Sequence, residues 1–298
     1  MTSQSIDSIH TQNLQDVEIR ANSKNTIPYL STTPVQTLGQ QQFLERGLQS
    51  LSDAVRQFNG VVLKDYGGIG GIKAVSVRGM GSEHTAVAYD DILVSNVQSG
   101  QIDIGRFSLD NIEYISLNIS QGDNLLQSAR AFGFASVLNF ETITPEFDKH
   151  NYKGHAKIVS GAFGLFNPMV NYSQKISNKF LASANVNWQR SDGNYPFIHQ
   201  VGSTAEKRKR NNSDTDIFRT ELNLYNNFGK RGGDLKSKIY YYDSERGLPG
   251  AVINYNDYAA ERLWDRNFFA QTSYSNDLGS KVKLKSQAKY SNIYTRYR

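Results

Sequence analysis

Long two-residue alternation after residue 150 constrains this chain more than any other feature. Phe180, Ala182, Ala184, Val186 and Trp188 share one face of a run whose other face is Ser183, Asn185, Asn187 and Gln189. Phe218, Thr220, Leu222 and Leu224 oppose Arg219, Glu221, Asn223 and Tyr225, and Val282, Leu284, Ala288 and Tyr290 oppose Lys281, Lys283, Lys285, Gln287 and Lys289. Successive strand side chains point to opposite faces, so each run predicts a strand with one apolar and one polar side. Seven are expected, near 152–162, 166–177, 179–190, 216–228, 235–244, 263–275 and 281–296. They are long for a globular sheet, and their two-faced pattern suits a wall between lipid and water. Tyr152, Phe166, Tyr172, Phe228 and Tyr294 fall near strand ends, where interfacial aromatics gather.

The connections agree. Ser177–Lys179, Gly229–Asp234 and Asn276–Ser280 are short and polar, whereas Ser191–Thr215 and Glu245–Arg262 are long; only the connection around Gly161–Pro168 breaks the alternation. An open sheet edge is untenable in lipid, so seven strands ending at Tyr297-Arg298 predict a barrel cut short at its C-terminus. Mean hydropathy is −0.53 and no apolar run reaches helical membrane-crossing length. MTSQSIDSIHTQ shows no signal-peptide pattern, so a leader has been removed or the chain is an internal piece. Cysteine is absent, which excludes disulfides and thiolate metal sites.

The first half differs in texture and charge. Residues 1–150 hold 10 Lys/Arg against 16 Asp/Glu, and residues 151–298 hold 23 against 12, so the basic pI of 9.1 belongs to the second half. Residues 1–35 are polar except Leu14–Ala21, a short alternation that is either a frayed linker or a peptide that adds to another protein's sheet edge. Leu44, Leu48, Leu51, Val55 and Phe58 predict one helix over 40–58, stopped at Asn59-Gly60. Val61–Leu63 predicts a strand, and Tyr66–Gly71 lacks the lysine and hydroxyl of a phosphate loop, so it is expected as an exposed loop. Val75–Val94 predicts strand, turn and strand around Arg78-Gly79; Ile112–Leu117 and Ser136–Thr142 predict strands, and Asp123–Arg130 a short helix. Together these form an α+β unit.

In order along the chain stand the helix running into Asn59-Gly60-Val61, Val77-Arg78-Gly79-Met80-Gly81-Ser82, Tyr89-Asp90-Asp91-Ile92, Ile112-Glu113-Tyr114-Ile115, Gly133 with Val137–Thr142, and Arg246–Ala251. In that order they resemble TonB-dependent outer-membrane receptors, in style those of Bacteroidetes-type bacteria. The resemblance implies an α+β plug domain followed by antiparallel transmembrane β-barrel strands, about 7 of an expected 22. Its divisions would be residues 1–24 with a TonB box at Asp16, Val17, Glu18, Ile19 and Arg20, a plug over 25–148, and an incomplete barrel over 149–298. It implies that Arg78 locks plug to barrel. A second Arg usual near Asn118–Gly122 is missing, and Tyr114 replaces another.

The same resemblance implies energised import across the cell outer membrane. A scarce solute, cobalamin-like or an iron–siderophore, would bind above the plug while TonB pulls on the box. The alternative is a glycan importer paired with a surface lipoprotein. Tyr66, Glu83, His84, Asn96, Gln98, Tyr195, Phe197 and Tyr255 are the candidate ligand contacts, on plug turns and outer loops. Expected partners are TonB, the bilayer, lipopolysaccharide at Glu206–Arg210, and the solute, not nucleic acid. Asp192, Asp214, Asp216 and Asp257 lack the spacing of a calcium loop and are expected to be solvated. His10, His84, His150, His155 and His199 show neither metal-ligand spacing nor a nucleophile's partner set, so no cofactor, metal or enzymatic step is expected.

Overall fold

A computed structural model describes residues 35–96, 100–119, 126–229, 232–252, 258–279 and 282–298, with residue 201 described by its backbone alone. The expected box at 16–20, together with Gln98 and Tyr255, lies outside them. The first part is a lobe of short elements: β1 (Val35–Gly39), α1 (Gln40–Glu45), α2 (Leu51–Val55), β2 (Val61–Asp65), β3 (Lys73–Val77), β4 (Thr85–Tyr89), β5 (Ile92–Val94), β6 (Ile112–Ile119) and β7 (Ser136–Thr142). Five strands form one sheet in the order β1-β6-β7-β4-β5, with only β4 and β7 parallel.

One local expectation is corrected. The helix over 40–58 is two short helices. Gly47 has a φ of +62°, and Ser50 caps the second helix by accepting a 3.1 Å hydrogen bond from the Asp53 N–H. Leu44 is therefore 83% exposed rather than on a shared apolar face. Val75–Val94 is strand, turn and strand as expected, with β5 added at its end; β3 pairs with β2, and β4 with β5 and β7.

The second part is a wall of seven antiparallel strands in meander order, with a hairpin added within one loop. They are β8 (Tyr152–Gly161), β9 (Leu165–Lys175), β10 (Phe180–Ser191), the hairpin β11 (Pro196–Val201) and β12 (Thr204–Lys209), β13 (Thr215–Asn227), β14 (Asp234–Gly247), β15 (Arg262–Asp277) and β16 (Lys283–Tyr297). The outer face is an apolar band, with Val170 opposite Val186, Trp188 opposite Phe218, and Leu222 opposite Ile239. Its members remain exposed. The inner face is buried against the lobe and is not uniformly polar. Ile217, Tyr240, Tyr242 and Phe269 join the lobe's core, which includes Leu51, Val55, Ile104, Ile115, Leu117 and Phe140. The sheet's parity follows from alternation, but a packed lobe, unlike water, rewards aromatic burial on that face.

Candidate functional site

Lobe and wall meet through three groups of buried or half-buried charges. The first sits at the long-loop end of the sheet. A 3-10 turn at Ile104–Arg106 follows Asp103, whose Oδ1 accepts from the N–H groups of Gly105 and Lys73, each at 3.0 Å. This holds the carboxylate on the lobe surface. Its Oδ2 meets Arg246 Nη1 at 3.2 Å, Arg246 Nη2 lies 3.3 Å from Asp265 Oδ2, and the same oxygen is 2.7 Å from Arg106 Nη2. Two Asp and two Arg, all buried, thus form a neutral quartet with one member of each sign on either side. Arg219 donates to the carbonyls of Arg106 and Gly105 at 2.9 and 2.8 Å, where the short turn's carbonyls end unpaired.

The middle group centres on the tip between β4 and β5. Asp90 and Asp91 both have left-handed φ, +52° and +62°, a geometry that closes a two-residue hairpin. Asn139 steadies the tip through two 3.0 Å bonds to Asp91, and Thr142 donates N–H and hydroxyl to Asp90 Oδ1. From the wall, Lys238 Nζ lies 2.6 Å from Asp90 and 3.0 Å from Glu221, and sits 3.4 Å above the Tyr89 ring. Tyr89 and Asn111 both donate to Glu221, at 2.6 and 2.8 Å. Burial alone would raise the Asp90 carboxyl, but Lys238 and the Thr142 hydrogen bonds hold it below the usual range. Burial, with Glu221 and Asp90 nearby, pushes the Tyr89 hydroxyl well above its ordinary value, so it stays a donor.

The third group lies at the short-turn end. Lys236 meets Glu141 at 3.1 Å and Lys285 meets Asp91 at 2.8 Å, around a cavity of about 680 Å³. Burial and the neighbouring Asp90 push Glu141 up to about 7, against the pull of Lys236.

Arg78, the expected lock, makes no contact with the wall among the described residues. It lies exposed on the turn after β3, its N–H donating to Gly60 at 2.7 Å, and it forms no ion pair among the described residues. Arg78 sits at the end of β3 away from the 66–72 loop, by which the β2–β3 ribbon touches the wall; the charged wall contacts fall on the 102–111 segment, the β4–β5 tip and the end of β7. Tyr66 and Tyr195 do come together, with Phe163, Leu248 and the 67–71 glycines and Ile69, around a cleft of about 280 Å³ at the long-loop end. Glu83 and His84 lie 3.7 Å apart on a separate exposed turn. They do not line this cleft, nor do Asn96 and Phe197. Phe197 instead stacks beside Arg210 within the β11–β12 region.

A family model described as the TonB-dependent Receptor Plug Domain matches residues 29–133. Those residues are a TonB-dependent receptor plug domain. The plug and its wall together also match solved receptor structures. The unliganded ferric citrate transporter FecA is 19% identical, with a TM-score of 0.67 over 88% of this chain and 40% of that one. The siderophore receptor PiuA of Acinetobacter baumannii is 14% identical, with a TM-score of 0.64 over 93% and 39%. FpvA of Pseudomonas aeruginosa PAO1, bound to pyoverdine, is 13% identical, with a TM-score of 0.62 over 88% and 37%. The chain thus spans about 40% of the length of these structures and shares the fold of that part, a plug followed by antiparallel strands. No curated protein sequence matches it.

Sequence reasoning missed Asp103, Arg106, Arg246 and Asp265. Strand parity marks Lys238, Arg246 and Asp265 as inward, and the opposite charge of the two halves signals that the plug's acids meet the wall's cations. Nothing local marks which acid meets which cation.

Proposed function

We propose that this chain belongs to a TonB-dependent receptor of the cell outer membrane that imports a scarce solute. The single observation that carries the reading is a plug clasped by opposite charges to the inner face of a sheet whose outer face is apolar. Ion pairs on both sides of an apolar seam of Ile217, Tyr240, Tyr242 and Phe269 fix the register of the plug while leaving it a body separate from the wall, able to move as a unit. Asp16–Arg20 is the proposed box, a strand-forming peptide onto which TonB adds by edge pairing and through which it pulls. The apolar outer band faces the bilayer, and the basic β12 strand faces lipopolysaccharide.

The solute is proposed to dock at the cleft between Tyr66 and Tyr195, where aromatic faces stack on a planar group. The similar structures include receptors for ferric citrate, pyoverdine and enterobactin, which favours an iron chelate over a cobalamin-like solute or a glycan passed on by a lipoprotein. Uptake of a labelled iron chelate by energised cells tests the reading. Deleting Asp16–Arg20 should abolish uptake while leaving binding to the cells intact, and undiminished uptake after the deletion would refute it.

A further inference from the structure

The Gly-rich loop at Tyr66–Gly71 lines the cleft at the long-loop end and is also tied down at two carbonyls, one by Lys73 beside the buried quartet and one by Arg246 within it. Lys73 Nζ donates to Gly68 O at 2.6 Å, and Arg246 Nη1 donates to Gly70 O at 3.1 Å. Both ties lead to Asp103. The Lys73 N–H donates to Asp103 Oδ1, and Arg246 Nη1 also lies 3.2 Å from Asp103 Oδ2. The other nitrogen of Arg246 reaches Asp265, which holds Arg106. One buried guanidinium on the wall therefore holds the cleft loop and the plug's main ionic contact together. The loop also lies close against the wall: a Cβ on Gly70 would sit 3.0 Å from Thr215 Cβ and 3.7 Å from Arg246 Cδ.

We infer that Arg246 is a positioning residue that couples the Tyr66–Gly71 loop to the plug–wall lock. A buried guanidinium left short of acceptors is costly, so lifting the loop from the wall removes one of three acceptors and weakens the hold of Arg246 on Asp103 and Asp265. The converse follows by linkage: loosening the quartet frees the loop. Lys can supply the charge but not the fork that meets three acceptors at once. The inference rests on the receptor reading only in naming the cleft as the place where a ligand would lift the loop; the coupling itself needs no ligand to be tested.

Hydrogen exchange of the full chain in detergent, resolved by mass spectrometry over 66–73 and 103–107, provides that test. The amides of Lys73, Gly105, Arg106 and Phe107 are hydrogen-bonded and report opening. Arg246→Lys should speed exchange in both segments at least about fivefold, the lower end of typical site-to-site coupling, while keeping more thermal stability than Arg246→Met. Gly70→Cys paired with Thr215→Cys places two Cβ atoms within reach of a disulfide after a small shift. Oxidation should then slow exchange at 103–107 by a similar factor, and reduction should restore it. Acceleration confined to one segment, or no response at 103–107 to the disulfide, would overturn the coupling. Either result would leave the import reading standing, because uptake is scored separately by deletion of Asp16–Arg20.

Discussion

The two ends of the plug–wall contact use the same chemistry to different effect. At the long-loop end, Asp103, Arg106, Arg246 and Asp265 are each under 10% exposed, and both arginines share one oxygen of Asp265. At the short-turn end, Lys236 and the Asp91 carboxylate are close to half exposed, and their pairs border a cavity of about 680 Å³. The difference teaches that ion-pair number is a poor guide to how tightly two parts are held. A buried charge must keep all its partners because losing one strands the others, whereas a half-exposed pair exchanges its partner for water at little cost. The plug is therefore held firmly at one end and loosely at the other.

The largest effect should come from the residue that both quartet arginines share. Asp265→Ala leaves Arg106 and Arg246 buried and short of an anion, at a cost of about 3–5 kcal/mol. It should be read as a lowered denaturant midpoint for protease release of the plug. An effect below about 1 kcal/mol would erase the contrast between the ends. Next is the middle group, where Tyr89→Phe removes the 2.6 Å hydrogen bond to Glu221 without changing the ring packing against Phe107, Tyr240 and Phe269. Losing a buried hydrogen bond to a charged acceptor should cost about 1.5–3 kcal/mol in the same assay. Lys285→Met, at the loose end, should cost no more than about 1 kcal/mol.

The loose end should also respond to pH. Glu141 is moved from its ordinary 4.5 up to about 7, so the docked plug holds a proton that the released chain gives up between those values. Docking should be strongest with respect to this group below 4.5, weaken as pH rises through the window, and level off above about 7. Asp90, held below its ordinary 3.8, acts in the opposite sense but only under more acidic conditions. Glu141→Gln should flatten the profile between 4.5 and 7, and an unchanged profile would show that another group carries it.

The wall was legible because a strand two-faced over ten or more residues has few alternatives. The expected runs at 179–190 and 263–275 became β10 and β15, with ends shifted by three residues or fewer. The lobe was legible in its strands and less so in its helices. Apolar spacing from Leu44 to Phe58 imitates one helix, while the backbone choice of Gly47 and the cap at Ser50 break it. The clasp was the least legible part. Asp103 and Arg246 lie 143 residues apart, and their meeting depends on how the lobe sits against the wall, which no local pattern encodes. Arg78, a charge beside Gly79 at the end of an apolar strand, lies exposed on the β3 turn, whereas the charges that meet the wall among the described residues carry no such local mark.

The graded clasp is tested most directly by two double-mutant cycles on the full chain, one on Arg106 and Asp265 and one on Asp91 and Lys285, each read by the denaturant dependence of plug release. The coupling energy at Arg106–Asp265 should exceed that at Asp91–Lys285 by at least about 1 kcal/mol, as expected for buried against half-exposed pairs. Equal couplings, or a stronger one at Asp91–Lys285, would contradict a plug held firmly at its long-loop end and loosely at the other.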